Sequence, residues 1–350
     1  MYDGAEALAA YGRFMKCVSD ASGIVPQIAI IDGICGGSSA VIASMFDVTL
    51  TLKDNSKLFV NSPFIVGESN ASACGLSAYE ADNESELFAF ARKLVGILPS
   101  NNADGAFIEN ADDMNRAVSF DSSAYKAEEL VKTIADNGDF TRLYASYVDN
   151  MALGFASFGG VTTLVVACEP KCVLDIKSAR AAAKLISFCD SFSIPVLTLV
   201  DSIGLDVSLE AEKAAYASEL ARLAYAYTAS ENAKVTVVVG KAYGAAFSLL
   251  GSKAVGADIA YALDSAAISV LSPEASVAFV WNDRVGEQSR EALEAEWNEK
   301  CASASEACYK GELDDVIANA ELRARICAAF SMLASKADGA PTRRHANMPL

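Results

Sequence analysis

The chain has a single histidine, His345, among 350 residues, and only 28 basic residues against 45 acidic ones. One histidine, placed near the end of the chain, leaves no visible Ser–His–Asp or Cys–His arrangement. The formal net charge of −17 sets a field that repels a phosphodiester backbone, so nucleic acid is not an expected partner. An anionic ligand would need a local pocket set against that field. Long apolar runs are also missing. The longest, such as Val235–Val239, are strand-sized, well short of the roughly 18 residues of a membrane span. No basic, apolar, small-residue signal pattern opens the chain. A cytoplasmic protein without membrane insertion is expected. The nine cysteines have neither the paired spacing of a zinc site nor an even-numbered disulfide framework. Cys168 and Cys172 come nearest to a ligand pair, but no second pair supports them. The expectation is structural thiols in a reducing compartment and no metal site.

What is present is a large apolar fraction, 52% of residues, in a chain long enough for two domains or two halves of a repeat. Helical spacing of Leu8, Tyr11, Met15 and Val18 predicts a first helix over 2–22. Pro26 then introduces Ile28-Ala29-Ile30-Ile31, an apolar run expected of a strand buried on both faces. A glycine-rich turn follows over 32–39, then a short helix from Ala40 and strands at 47–50 and 58–60. Glu84 to Ile97 is an amphipathic helix. The Asn- and Asp-rich stretch 99–123 reads as a linker, which places a boundary between domains 1–110 and 111–340. Further helices are expected at 127–134, after an Asp175 cap, and over 210–230. Strands are expected at 162–167 and 195–200. Residues 284–336 read as helical, and the basic tail 341–345 as a surface or intersubunit segment. This alternation argues for an α/β layered fold.

One motif occurs twice. Strand Lys234–Val239 leads into Gly240-Lys241-Ala242-Tyr243-Gly244-Ala245-Ala246 and a short helix, as Ile28–Ile31 leads into Gly33-Ile34-Cys35-Gly36-Gly37. The two glycines recur at 240 against 33 and at 244 against 37, the same interval of 207 residues. Each turn is followed by an Asp-apolar strand, at Asp47-Val48 and Asp258-Ile259. An internal duplication is the reading. A strand that ends in glycine and opens a helix presents unpaired N–H groups where the helix dipole also favours negative charge. Such a turn binds an anion or a developing oxyanion without a charged side chain; the alternative is that the glycines only permit a tight turn and close packing. Neither copy fits the phosphate-loop or dinucleotide pattern. Asp201, after a buried strand, reads as a cap of the next turn more readily than as a site residue. Lys241 beside the second turn is equally compatible with contacting an anion and with covering the strand end. The tyrosines at 225, 227 and 243 read more readily as packing than as an aromatic wall.

In these segments the sequence resembles the carboxyltransferase subunits of biotin-dependent acyl-CoA carboxylases and decarboxylases, of the propionyl-CoA carboxylase β and methylmalonyl-CoA or glutaconyl-CoA decarboxylase α type. Carrying the resemblance are Leu8-Ala9-Ala10-Tyr11-Gly12-Arg13, Gly33-Ile34-Cys35-Gly36-Gly37, Leu98-Pro99-Ser100-Asn101-Asn102, Phe188-Cys189-Asp190-Ser191-Phe192-Ser193-Ile194-Pro195, Lys241-Ala242-Tyr243-Gly244 and Arg344-His345-Ala346-Asn347-Met348-Pro349-Leu350. It implies two tandem crotonase-like (ClpP/crotonase) α/β domains, the first incomplete at its N-terminus. It also implies a homo-hexamer with sites formed between subunits. By the same resemblance Gly36, Gly37 and Ser38 hold the acyl-CoA thioester oxygen, and Gly244, Ala245 and Ala246 hold the ureido oxygen of biotin. Ser248 stands where the family has an aspartate that influences acyl selectivity, and Tyr243 and Lys241 are candidate contacts. The chain has no Met-Lys-Met biotin-attachment segment, so a biotin carrier protein is an implied partner, with a biotin carboxylase or a membrane decarboxylase subunit. The expected chemistry is carboxyl transfer to or from a short acyl-CoA, and the resemblance leaves its direction open. The rival readings are a catalytically degenerate assembly subunit and a crotonase-like hydratase or hydrolase. The hydratase needs a carboxylate pair near the first turn, and none occurs between Gly37 and Asp47. Departures from the family are Gly37-Ser38-Ser39 and Gly244-Ala245-Ala246, where it usually has Gly-Gly-Ala.

Overall fold

A computed structural model describes residues 4–61 and 71–336; the expected surface tail at 341–345 lies outside them. Two compact units are formed, Met1–Phe107 with Leu143–Asp149, and Ile108–Arg142 with Asn150–Leu350. Among the described residues no helix is long and apolar enough to cross a membrane.

In the first unit the helix Gly4–Ala21 precedes β1 (Ile28–Ile31), β2 (Ile34–Gly36), β3 (Val48–Leu52), β4 (Lys57–Phe59) and β5 (Tyr79–Ala81). Strands β1, β3 and β5 form a three-stranded sheet, and β2 and β4 a two-stranded one, all pairs parallel. β3 is buried at every residue. β1 corrects its expectation: Ile30 is 37% exposed, because among the described residues β1 pairs with β3 alone and lies at the edge of the sheet. The helix Glu84–Ile97 begins as its sequence indicates, with the Asn83 side chain accepting the Glu86 N–H.

The second unit is organised on β6 (Phe140–Leu143), β7 (Met151–Phe158), β8 (Val161–Cys168), β9 (Cys172–Leu174), β10 (Val196–Leu205), β11 (Lys234–Tyr243), β12 (Ile259–Leu263), β13 (Ala267–Ser269) and β14 (Asp315–Ile317). The main path runs β14-β12-β11-β10-β8-β7-β6; β13 pairs with β11 and β9 with β10. β7 and β8 form an antiparallel hairpin, and the pairs from β8 through β14 are parallel. The central strands β10 and β11 are apolar on both faces, as expected of a covered parallel sheet. The expected helix over 210–230 is instead two, Leu209–Lys213 and Tyr216–Ala229. Ala215 adopts φ 59 between them, and the buried Tyr216 hydroxyl donates to the Leu174 carbonyl and accepts the Asp206 N–H. That anchorage holds the break. Within 284–336, β14 interrupts the expected helices.

The irregular segment after Phe107 is pinned to the second unit by a buried ion cluster. Arg323, with 0% exposure, contacts Asp136 at 2.7 Å and Asp112 at 3.2 Å and donates to the carbonyls of Asp113 and Ile134. Asp136 also accepts the N–H groups of Gly159 and Gly160. Paired charges with their remaining positions satisfied are the form in which ions are tolerated in a core.

Candidate functional site: two glycine turns

At the first turn β2 runs beside β4. The Lys57 N–H donates to Gly33 (2.9 Å) and the Gly37 N–H to Phe59 (3.0 Å). Alternate residues bond in a parallel pair, so the Gly36 N–H lies on the side away from β4. Gly37 has φ 61 and ψ −131, a backbone that an L side chain rarely adopts. From there the helix Ser38–Met45 starts, and the N–H groups of Ala40 and Val41 both return to the Gly37 carbonyl. Of the orphan donors at this helix end, Ser38 and Ser39 are left with N–H groups that have no acceptor within the turn. Gly36, Gly37 and Ser38 are all half-buried.

The second turn repeats this wiring. β11 continues past Gly240 to Tyr243, pairing with β13 from Lys241 onward. The expected turn over 240–246 is thus a strand end followed by a turn at Gly244 alone. The Gly244 N–H donates to Ser269 at 3.0 Å, and the Phe247 N–H returns to the Gly244 carbonyl at 3.2 Å. Gly244 has φ 64 and ψ −155. Ala245 and Ala246, opening the helix Ala245–Leu249, hold the matching pair of N–H groups with no backbone acceptor among the described residues. Neither Gly37 nor Gly244 offers its own N–H; each supplies the conformation from which the helix starts, and the next two N–H groups have no acceptor within the turn.

Gly244, Ala245 and Ser248 border one cavity of about 870 Å³, walled by Phe247, Ile268, Val270 and Trp297. The buried Ala246 contributes no surface to it. Lys241 and Tyr243 line a different cavity, of about 570 Å³, with Glu274 and Glu294. Side chains two apart on a strand share a face, which carries both away from the Gly244 cavity. There the Lys241 ammonium lies 5.9 Å from the centre of the Tyr243 ring. Burial raises the Tyr243 hydroxyl pKa, and the charges of Glu274 and Asp201 add to it. The Glu274 carboxyl is held below its usual range by its own backbone N–H, then by Ser272 and Lys241. Trp297 is the wall residue that sequence reasoning missed; in an amphipathic helix its apolar spacing reads as packing.

Asp201 is 4% exposed and accepts the backbone N–H groups of Lys171 (3.1 Å) and Lys241 (3.0 Å). It does not cap a following turn as expected: it lies within β10, and its carboxylate ties that strand to the backbone at Lys171 and Lys241. Cys168 and Cys172 are buried, and the neighbouring Cys168 thiol, together with burial, raises the Cys172 pKa. All nine cysteines are free, and among the described residues no group of three or more His, Cys, Asp or Glu is placed to hold a metal.

Residues 1–348 match the carboxyl transferase domain family, and the chain belongs to it. The chain is 32% identical to the mitochondrial propionyl-CoA carboxylase beta chain of Sus scrofa, covering 99% of this chain and 69% of that one. It is 29% identical to methylmalonyl-CoA decarboxylase subunit alpha of Veillonella parvula, over 99% and 73%. Its fold is that of transcarboxylase 12S, a hexamer assembly solved with methylmalonyl-coenzyme A and methylmalonic acid bound. The TM-score is 0.92 at 29% identity, covering 99% of this chain and 73% of that one. The family resemblance and the crotonase-like α/β class expected from the sequence are borne out, and with them the class of enzyme, a biotin-dependent acyl-CoA carboxyltransferase.

Proposed function

We propose that this chain moves a carboxyl group between biotin on a separate carrier protein and the α-carbon of a short acyl-CoA. Residues 1–110 would present the acyl-CoA turn at Gly36, Gly37 and Ser38, and residues 111–340 the biotin turn at Gly244, Ala245 and Ala246. The observation carrying this reading is that both turns have the same backbone: a glycine at φ near +60°, its N–H locked to a neighbouring strand, and behind it two N–H groups with no backbone acceptor among the described residues. Two such donor pairs suit a reaction in which negative charge develops on two oxygens, one on a thioester and one on a ureido group. Removing one donor of this kind typically costs about 2.7–4 kcal/mol of transition-state stabilisation.

Biotin, when bound, supplies the nitrogen that carries the carboxyl group and takes up the α-proton. The protein's share is then to orient and to stabilise charge. The apolar walls of the Gly244 cavity would suit a compact bicyclic ring, the Ala245 N–H would supply a donor to its oxygen, and Ser248 borders the same space. Lys241 and Tyr243 support the strand from its other face. Expected partners are a biotin carrier protein and a biotin carboxylase or membrane decarboxylase subunit, with the chain itself a hexamer. The nine free cysteines suit the cytoplasm.

The test is free-biotin-dependent decarboxylation of malonyl-, methylmalonyl- and glutaconyl-CoA by the purified chain. Turnover of at least one is expected. A folded oligomer that turns over none refutes the enzymatic reading and leaves the assembly subunit.

A further inference from the structure

Strands β10 and β11 change partners at the same level. β10 pairs with β8 up to Leu199 and with β9 from Ser202. β11 pairs with β12 up to Val238 and with β13 from Lys241. Between the two strands the register passes from Val200 opposite Val238 to Ser202 opposite Ala242. One residue of β10, Asp201, therefore stands against three of β11, and backbone pairing alone cannot fill that gap.

The Asp201 side chain fills it. Its Oδ1 accepts from Lys241 on one side and from Lys171, next to β9, on the other. Its Oδ2 accepts from the Tyr125 hydroxyl at 3.3 Å. Gly240 makes room for it: a Cβ there would lie 2.2 Å from Asp201 Oδ2. At Gly33, the equivalent position of the first copy, a Cβ would meet no atom within 4 Å.

We propose that Asp201 is the positioning residue of the second turn: through the Lys241 N–H it sets the direction of Lys241–Tyr243, and hence of the Ala245 and Ala246 donors. The proposal deepens, and its functional consequence rests on, the reading of that turn as an oxyanion site. Asp201 borders neither cavity; it replaces a missing piece of ladder with a carboxylate.

Hydrogen–deuterium exchange by mass spectrometry on the full chain, paired with methylmalonyl-CoA decarboxylation, tests it. In Asp201→Ala, exchange over 240–247 rises by about tenfold or more, as expected for the loss of a hydrogen bond to a charged group, while 235–238 stays protected. The kcat falls by about 100-fold, and KM for the acyl-CoA changes by less than about threefold, since the loss falls on the transition state. Asp201→Asn keeps an acceptor at Oδ1 and restores protection and most of kcat. Gly240→Ala displaces the carboxylate and reproduces Asp201→Ala. The double variant is no worse than Asp201→Ala alone, because the added methyl then has nothing to displace.

Wild-type protection over 240–247 in Asp201→Ala overturns the proposal, as does an Asn variant as damaged as the Ala variant. Should Asp201→Ala fail to fold, Gly240→Ala and Asp201→Asn decide by the same exchange readout. Absence of turnover in the wild type sinks the functional reading, whereas exchange still judges Asp201.

Discussion

Replacing Gly244 by alanine isolates what the glycine contributes. An added Cβ meets only the Val270 carbonyl, at 3.5 Å, which is ordinary contact. The penalty is therefore conformational. At φ 64 and ψ −155 an alanine costs about 1–3 kcal/mol. To escape it, the peptide rotates, which gives up the hydrogen bond to Ser269, worth about 0.5–1.5 kcal/mol, and turns Ala245 and Ala246 away. The stability loss is bounded by these local terms, a fall in Tm of roughly 2–12 °C at about 2–4 °C per kcal/mol for a domain of this size. The catalytic loss is larger, about 100- to 1,000-fold in kcat for one misplaced donor. Differential scanning calorimetry and the decarboxylation assay, run on the same preparation, separate the two. Gly96→Ala is the control: inside the helix Glu84–Ile97 and with no atom within 4 Å of its Cβ, it raises stability by about 0.5–1 kcal/mol and leaves kcat alone. A Gly244→Ala enzyme within about threefold of wild-type kcat while losing Tm refutes the assignment of donors, because the turn would then have been perturbed without consequence for the reaction.

Arg323→Ala strips the buried cluster of its only fully buried cation and leaves Asp136 and two carbonyls without it. Breaking such a pair typically costs about 3–5 kcal/mol. Because Gly159 and Gly160 still bond Asp136, the lower end is expected in urea denaturation, and a loss below about 1 kcal/mol contradicts a pinning role. The Asp112 carboxyl is depressed to about 2, chiefly by its hydrogen bonds with Arg116, and further by the Asn137 N–H and the Arg323 charge. A depressed carboxyl stabilises the fold above its unfolded pKa and loses that contribution as pH falls through the folded value. Stability contributed by Asp112 is thus expected to decline from about pH 4 towards pH 2, and Asp112→Asn to flatten that limb of a pH-dependent melting series. An unchanged slope refutes it.

Much of the second unit was readable because its strands are buried on both faces and its helices are capped by short polar side chains. Asp175 accepts the Ser178 N–H as its sequence context suggests. Strand β6 and the three-residue strands β5, β9 and β14 were not legible, since so short a run has no period to measure. The break before Tyr216 was hidden for another reason. Alanine at 214 and 215 is a strong helix former, and only the buried Tyr216 hydroxyl, reaching Leu174 and Asp206, overrides that propensity. Cavity assignments were the least visible: Lys241 and Gly244 are near neighbours in sequence, yet the strand's alternation directs the lysine into a separate cavity.

The departures from the family at Ser38 and Ala245 take on a different meaning once the backbone is known. The residues that cannot carry a side chain without strain are those at positive φ, Gly37 and Gly244, and the chain keeps both. Ser38 and Ala245 are first residues of their helices, where a Cβ is compatible with the backbone and the N–H is free by position in the helix rather than by residue type. A serine or alanine there preserves the donor. The duplication conserves conformation at the turn's pivot and frees identity just after it, so the two copies can present the same pair of N–H groups beneath different side chains, Ser38-Ser39 in one and Ala245-Ala246 in the other. Two different oxygen ligands would require that combination.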